Sequence, residues 1–250
     1  WYLGKRKSFV TVTGKSSNFS LIRFKKSKIP LSVIALLFVV AIAILPLVTF
    51  VIESFIMAPG DYSFSNFTTQ FWVGKGREDI GGGEPGILLN KYLYMAFWNS
   101  LKLSLIVAIV VGIVGGLAGY AIVRGRGTKI ASLVNSLAFF PYLLPSMAFG
   151  AIYLSMFAKP IGFLPSLYGT FFLLVLIGSV KYLPFASRAG INAMLQLSGE
   201  IEEAAIIMGV PWWKRMMKIL FPIQKSSFLS GFLLPFISCM RELSLFVLLI

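Results

Sequence analysis

The sequence predicts an all-α, polytopic helical membrane protein, and three observations carry this prediction. Hydrophobic residues make up 57% of the 250-residue chain and charged residues only 13%, about half the charged share of a soluble domain. The few charges separate long apolar runs, each near the roughly 20 residues that cross a bilayer as a helix. Lys and Arg outnumber Asp and Glu by 23 to 9, and they concentrate in alternate connections, as the orientation of membrane helices requires.

Four apolar runs are long enough to cross the membrane, and a fifth helix begins near Ser226. The first run is too long for a signal peptide, and no cleavage pattern follows it. Because the chain starts at Trp1 and stops within an apolar run, we expect about five helices of a longer protein, cut before the last. The four full spans are placed at about residues 30–53, 101–123, 133–157 and 167–187.

The distribution of charge predicts the orientation of the chain. Residues 1–28 carry eight basic side chains and no acid, which predicts a cytosolic segment that meets anionic lipid rather than nucleic acid. Residues 53–99 carry three basic and five acidic groups and are expected outside. The predicted organisation is a basic N-terminal segment or linker at 1–28, the first membrane helix and external loop at 29–98, and a membrane core at 99–250.

The composition excludes several kinds of chemistry. The chain has no histidine and one cysteine, so it can form no Ser-His-Asp triad, histidine metal site or internal disulfide. Gly14-Lys15-Ser16 resembles the end of a phosphate-binding loop, but Phe9 stands where that loop needs glycine. We therefore expect no catalytic residue, no metal site and no cofactor on this chain.

Two prolines interrupt the third predicted membrane helix. Pro141 and Pro145 are four residues apart, and each removes a backbone hydrogen bond of the helix. Membrane helices tolerate such breaks where protein or a water-filled cavity satisfies the freed groups. We expect these prolines to shape a pathway helix, although a merely kinked packing helix is the open alternative.

The second predicted helix carries two pairs of glycines, and the members of each pair are four residues apart. The pairs are Gly112 with Gly116 and Gly115 with Gly119. This spacing favours close packing of helices.

The long inner loop, about residues 188–225, is the most informative stretch. Ser198 is placed as an N-cap, and acidic residues follow in the first turn of the helix it begins. Gly209 ends this short helix and Pro211 prevents its continuation. A basic, aromatic second helix then leads back to the membrane. The open alternatives are docking of the first helix on another protein and an interfacial hairpin lying on lipid.

The spacing within this loop resembles the EAA loop of permease subunits in binding-protein-dependent ATP-binding-cassette importers. The matching positions, at about 198–222, are Glu203-Ala204-Ala205, Gly209, Ile219 and Phe221-Pro222. Phe221 departs from the leucine usual before the last proline. The resemblance implies the type I importer permease fold over roughly 99–250. It also implies that Glu203, Ala204, Ala205 and Gly209 contact the ATPase through a coupling helix.

A charged pair stands deep in the last helix. Arg241 and Glu242 lie 15 uncharged residues beyond Lys225, and charges at membrane depth usually serve function. We expect the pair near the substrate route, where the backbone breaks or a wet cavity opens, although a loop end at the outer surface is an alternative. Arg241-Glu-Leu-Ser-Leu is similar to permeases of the ferric-iron importer subgroup. Phe9 to Lys15 resembles the linker of fused permeases in that subgroup, which would make this chain the second half.

The resemblance implies a transport subunit of the bacterial inner membrane rather than an enzyme. ATP would be bound by cytosolic ATP-binding-cassette ATPase subunits, and substrate would be delivered by an external substrate-binding protein. A second permease half or subunit would complete the pathway. Ferric iron is the implied substrate, although polyamine, thiamine and sulfate permeases share the scaffold. An ion-coupled secondary transporter is the alternative from another class, and it would leave the long inner loop unexplained.

Overall fold

A computed structural model describes residues 27–78, 81–160, 162 and 165–249. The segment Trp1–Lys26, which contains most of the basic N-terminal stretch and the resemblance to a linker, lies outside the described residues. The described residues form helices and turns without a β-strand. They divide into two compact units, which meet in sequence between Phe97 and Trp98.

Nine helices are named here in chain order, with their bounds in the described residues. They are α1 (Lys28–Glu53), α2 (Gln70–Val73), α3 (Lys91–Arg124), α4 (Lys129–Phe139), α5 (Ser146–Phe157), α6 (Phe171–Gln196), α7 (Gly199–Ile207), α8 (Trp212–Ile223) and α9 (Lys225–Met240). A π-helical turn at Val40–Ile44 lies within α1, and a 3-10 turn at Phe140–Leu143 extends α4.

Helix α1 is apolar on all sides. Its mean hydropathy is 3.1 over the most apolar window, and that window buries no residue inside the protein. A helix that is hydrophobic on all sides and is not covered by protein is suited to a lipid environment. Beyond α1, Trp72 of the short helix α2 stacks on Phe55, and its indole N–H donates to Ser54 Oγ at 3.3 Å.

The second unit is built around α3, α6 and α9. Val107 and Val111 of α3 are buried with Ile177 of α6, and Leu245 and Leu249 beyond α9 complete this core. A second, smaller cluster lies where α6 ends, and it joins that end to α8. Its buried members are Ala193, Met194, Leu197, Met216 and Leu220.

The glycines of α3 allow α6 to approach closely. A Cβ atom on Gly115 would lie 2.5 Å from Ala186 Cβ, and one on Gly119 would lie 2.4 Å from the carbonyl carbon of Gly190. The predicted close packing is thus confirmed for these two positions. Gly112 differs, because its nearest neighbour, Phe232 Cβ, would be 3.9 Å away.

The spans differ from the sequence prediction in three places. The predicted span 101–123 runs instead from Lys91 to Arg124, because Lys102 lies within the helix with its side chain exposed. The predicted span 133–157 is a pair of helices, α4 and α5, whose axes bend by 107°. The predicted span 167–187 runs instead from Phe171 to Gln196, because the charges of Lys181 and Arg188 are accommodated within the helix. In the part of the chain that the structure describes, three helices are long and apolar enough to cross a membrane, and the number rises to five if the bent pairs α4–α5 and α8–α9 each count as one span.

Candidate coupling loop and membrane pathway

The short helix α7 begins and ends as the sequence predicts. Ser198 is its N-cap, and the Ser198 hydroxyl accepts a hydrogen bond from the backbone N–H of Glu200 at 3.3 Å. Gly209 has φ +69°, a left-handed conformation that favours glycine. The N–H of Val210 then donates to the carbonyl of Ala205 at 3.0 Å. The loop is therefore a defined helix–turn–helix, with Pro211 as the N-cap of α8.

The predicted coupling residues within α7 lie on different sides of the helix, and the fourth, Gly209, follows its end. Glu203, Ala204 and Gly209 are exposed. Ala205 is only 1% exposed and packs against the chain's own helices. The exposed side of α7 also carries large apolar residues at its C-terminal end, of which Ile207 is 86% exposed.

A network around Glu202 holds α7 to the membrane helices. One Glu202 carboxylate oxygen accepts from Tyr120 OH at 2.6 Å, and the other accepts from Arg124 Nε at 2.7 Å. Arg215 of α8 places its Nε 3.8 Å from the same carboxylate. Arg215 also donates from Nη1 to the carbonyl of Val210 at 2.8 Å. One buried carboxylate, only 6% exposed, thus joins α3, α7 and α8.

Sequence reasoning missed this role of Glu202. It grouped Glu202 with the neighbouring acids as favourable charges in the first turn. A signal was available in the spacing, because Glu202 and the small Ala205 are three residues apart and share a face of the helix. The partner of Glu202, Arg124, is 78 residues away in sequence, so the pairing depends on the tertiary fold.

The two prolines produce the break between α4 and α5. Pro141 lies in the first positions of the 3-10 turn Phe140–Leu143, and Leu144 adopts the extended conformation (ψ 132°) expected before Pro145. Lys181 of α6 donates from Nζ to the carbonyls of Leu144 at 2.5 Å and of Pro141 at 3.4 Å. The Lys181 amine thus satisfies the Leu144 carbonyl at the break, whereas the Pro141 carbonyl also accepts a hydrogen bond from the N–H of Leu144 at 3.4 Å.

The side chains of Arg241 and Glu242 have different surroundings at the end of α9. The helix stops at Met240, and Arg241 is its exposed C-cap. The Glu242 carboxylate accepts from Tyr182 OH at 2.9 Å, from Ser146 Oγ at 3.2 Å and from the N–H of Leu245 at 3.1 Å. The backbone therefore breaks at the pair, and Glu242 joins α5, α6 and the last segment instead of pairing with Arg241.

No cluster of three metal-ligating side chains occurs among the described residues. Tyr120, Arg124, Lys181 and Tyr182 of the membrane helices make hydrogen bonds between helices. Among the described residues these groups include no paired base and nucleophile of a catalytic centre. Their arrangement can hold helices in register, transmit movement of α7 and line a polar path.

Comparison with known proteins places this geometry in a family. Residues 108–250, more than half of the chain, match the model of the binding-protein-dependent transport system inner membrane component. The phosphate transport system permease protein PstA of Mycobacterium leprae (strain TN) is 27% identical over 201 residues, which cover 77% of this chain and 59% of that protein. PstA 1 of Mycobacterium tuberculosis (strain ATCC 25618 / H37Rv) is 32% identical over 91 residues, or 36% of this chain and 28% of that protein.

These matches decide between the broader predictions. The helical spans and the family match together confirm the predicted type I importer permease fold. The similar proteins carry the name of phosphate permeases, so the ferric-iron subgroup suggested by Arg241-Glu242 finds no support among them. The chain is a multi-pass membrane protein and belongs to the family of binding-protein-dependent transport system inner membrane components.

Proposed function

We propose that this chain is the permease subunit of an ATP-driven importer and forms half of the substrate pathway. The proposal depends on the difference between the two faces of α7. Its inner face is fixed to α3 and α8 through the buried Glu202, whereas its outer face presents Glu203, Ala204 and the exposed Ile207. A helix that is held to its own chain on one side and exposes large apolar residues on the other suits the transmission of movement from a docked protein.

The proposed partners follow from this arrangement. A cytosolic ATP-binding-cassette ATPase would receive the outer face of α7 in a groove, and it would supply the ATP site and the hydrolysis. A second permease half or subunit would complete the path, and an external binding protein would deliver substrate. The location proposed is the bacterial inner membrane, with the loop 197–211 and residues 1–28 on the cytosolic side.

The substrate proposed is phosphate. Two similar proteins are named phosphate transport permeases, whereas ferric iron rests on the short resemblance at Arg241-Glu242. The path is proposed to run beside the break at Pro141 and Pro145, with Arg241 near its outer part. Uptake of radiolabelled phosphate and of ferric iron by cells that carry the complete importer, with and without its binding protein, separates the two substrates.

An ion-coupled secondary transporter fits the molecule less well. Such a carrier is expected to place ion-binding carboxylates inside the membrane. Glu242 is the carboxylate at membrane depth in the described residues, and it accepts three hydrogen bonds from the protein. Loss of uptake on depletion of ATP, with the ion gradient kept, is the result expected of the proposed importer.

Replacement of Ile207 tests the docking of α7. We expect Ile207→Asp to reduce copurification of the ATPase and ATP-dependent uptake about tenfold or more, because a charge would enter an apolar contact. Membrane insertion should stay normal, since Ile207 touches little of its own chain. The control Ile207→Leu keeps the apolar surface and should retain both readouts. Normal ATPase copurification with Ile207→Asp would contradict the proposed docking surface.

A further inference from the structure

A groove of about 510 Å³ lies between α4, α6 and α9. Helix α6 contributes Arg188, Asn192 and Gln196, which are four residues apart and therefore line one face of the helix. Ser227 and Ser230 of α9 face them from the opposite wall. These five side chains form a polar stripe in a groove whose other lining residues are mostly aromatic or apolar. No contact described above uses the stripe.

Arg188 is the charged residue of this groove. Its guanidinium lies 4.8 Å from the centre of the Phe139 ring, and no carboxylate is among the lining residues. Within the described residues Arg188 forms no ion pair. Eight residues, or about 12 Å along the helix axis, separate it from the end of α6. A charge at such a position is tolerated when it faces a water-filled cavity, so the groove is expected to be wet.

The donors of the groove match an oxyanion. The guanidinium offers several N–H groups in a planar fork that suits phosphate or sulfate oxygens. The amides of Asn192 and Gln196 make no hydrogen bond within the described residues, and they add further N–H donors. Arg188 would repel a bare cation such as ferric iron, and this repulsion weakens little where water is scarce.

We propose that this groove is the surface by which the chain contacts an oxyanion in transit, with Arg188 as the principal contact. This inference rests on the proposed function, and it names the substrate class and the residues that select it. The groove opens on α6, whose last residue, Gln196, lies three positions before α7 begins. The same helix therefore carries the anion contact and leads into the coupling loop.

Transport by the complete importer gives the first test. In proteoliposomes with the ATPase, the second permease part and the binding protein, we expect Arg188→Gln to lower phosphate uptake about tenfold or more, because a charge-assisted contact is lost. Arg188→Lys should retain a larger share of uptake. Lys129→Gln is the matched control, because it removes one exposed positive charge outside the groove and should leave uptake unchanged. The ATPase activity stimulated by the loaded binding protein should persist in all three variants.

Thiol labelling gives a second test that does not depend on transport. Asn192→Cys introduces a thiol beside Arg188, whereas the native Cys239 is buried and serves as the unlabelled background. Two methanethiosulfonate reagents are compared, an anionic one with a sulfonate group and a cationic one with a trimethylammonium group. Each labelling rate is divided by the rate of the same reagent with a free thiol in solution. We expect the normalised rate to be higher for the anionic reagent. Phosphate should slow the reaction, and Arg188→Gln should remove the preference for the anionic reagent.

The outcomes separate this inference from the proposed function. If the importer takes up phosphate and Arg188→Gln does so at the native rate, the anion contact is overturned and the permease function stands. If the native importer takes up no phosphate, the proposed substrate fails, and the groove stands only if labelling shows the Arg188-dependent preference for the anion. Equal relative rates for the two reagents overturn the inference in either case.

Discussion

At the scale of single residues, two neighbouring glutamates have separate tasks. Glu202 is buried and bonded to Tyr120 and Arg124, whereas Glu203 is exposed. Local sequence rules treat both as acids that suit the first turns of a helix. Their difference arises from which face of α7 meets α3, and that contact is set by residues far away in the chain.

The pair supports a direct prediction. Glu202→Gln removes the charge that faces two arginines, and we expect the free energy of unfolding of the purified transporter to fall by about 2 kcal/mol. Glu203→Gln makes the same chemical change on the exposed face and should alter stability by less than about 0.5 kcal/mol. Thermal unfolding followed by tryptophan fluorescence measures both. Equal melting temperatures for the two variants would contradict a structural role of Glu202.

The sequence predicts the local features of this loop and misses its tertiary ones. Ser198 as N-cap and Gly209 as the end of α7 follow from backbone chemistry, and both are found. The orientation of Ala205 does not follow from it, because both alanines suit a helix equally well. Since Ala205 is buried against its own chain, a charge placed there would disturb the loop itself, and Ile207 is the better probe of docking.

At the scale of elements, the contact between α3 and α6 depends on two glycines. We expect Gly119→Ala to destabilise the transporter by about 1–3 kcal/mol, because the added Cβ would meet the backbone of α6 at 2.4 Å. Gly112→Ala is the matched control on the same helix, where the nearest atom would be 3.9 Å away. Unfolding of the two variants in increasing concentrations of a denaturing detergent measures this difference in stability. A stable Gly119→Ala protein would mean that the helices separate more easily than this packing implies.

The broken helix gives a second prediction for elements. Lys181→Met removes the donor to the carbonyls of Pro141 and Leu144, and we expect a loss of about 1–3 kcal/mol in stability. Lys102→Met makes the same change on the exposed side of α3, where Lys102 lies over the Trp98 ring, and should cost about 0.5 kcal/mol. The melting temperatures of the two variants measure these losses, and Lys181→Met should have the lower one. If Lys102→Met is the more damaging change, Lys181 does not support the break.

Charged residues explain why the boundaries of the spans were predicted imperfectly. A hydropathy reading ends a span near a charge, and it therefore stopped the fourth helix at 187 instead of Gln196. Lys181 donates to backbone carbonyls and Arg188 lines the groove beside other polar side chains, so neither charge ends the helix. The 107° bend after α4 is a similar case: Pro141 and Pro145 mark the break, but their spacing does not give its angle.

At the scale of the whole molecule, α6 connects the separate parts of the second unit. One side packs on α3 at Gly190, and another lines the groove at Arg188. Its end lies in the small core shared with α8, beside the network of Glu202. Movement imposed on α7 therefore reaches a packed helix rather than a loose loop, and packed helices shift as units.

This continuity predicts that the state of the ATPase controls access to the groove. In the complete importer, ATP trapped in the closed ATPase dimer should slow labelling of Asn192→Cys from the cytosolic side about tenfold or more, as a shift between two conformations would. Adding Ile207→Asp should remove this effect, because α7 would no longer receive the movement. The double variant Asn192→Cys with Ile207→Leu is the control and should keep the response to ATP. Labelling that is insensitive to ATP in a transporter active in uptake would show that the groove does not open and close with the ATPase.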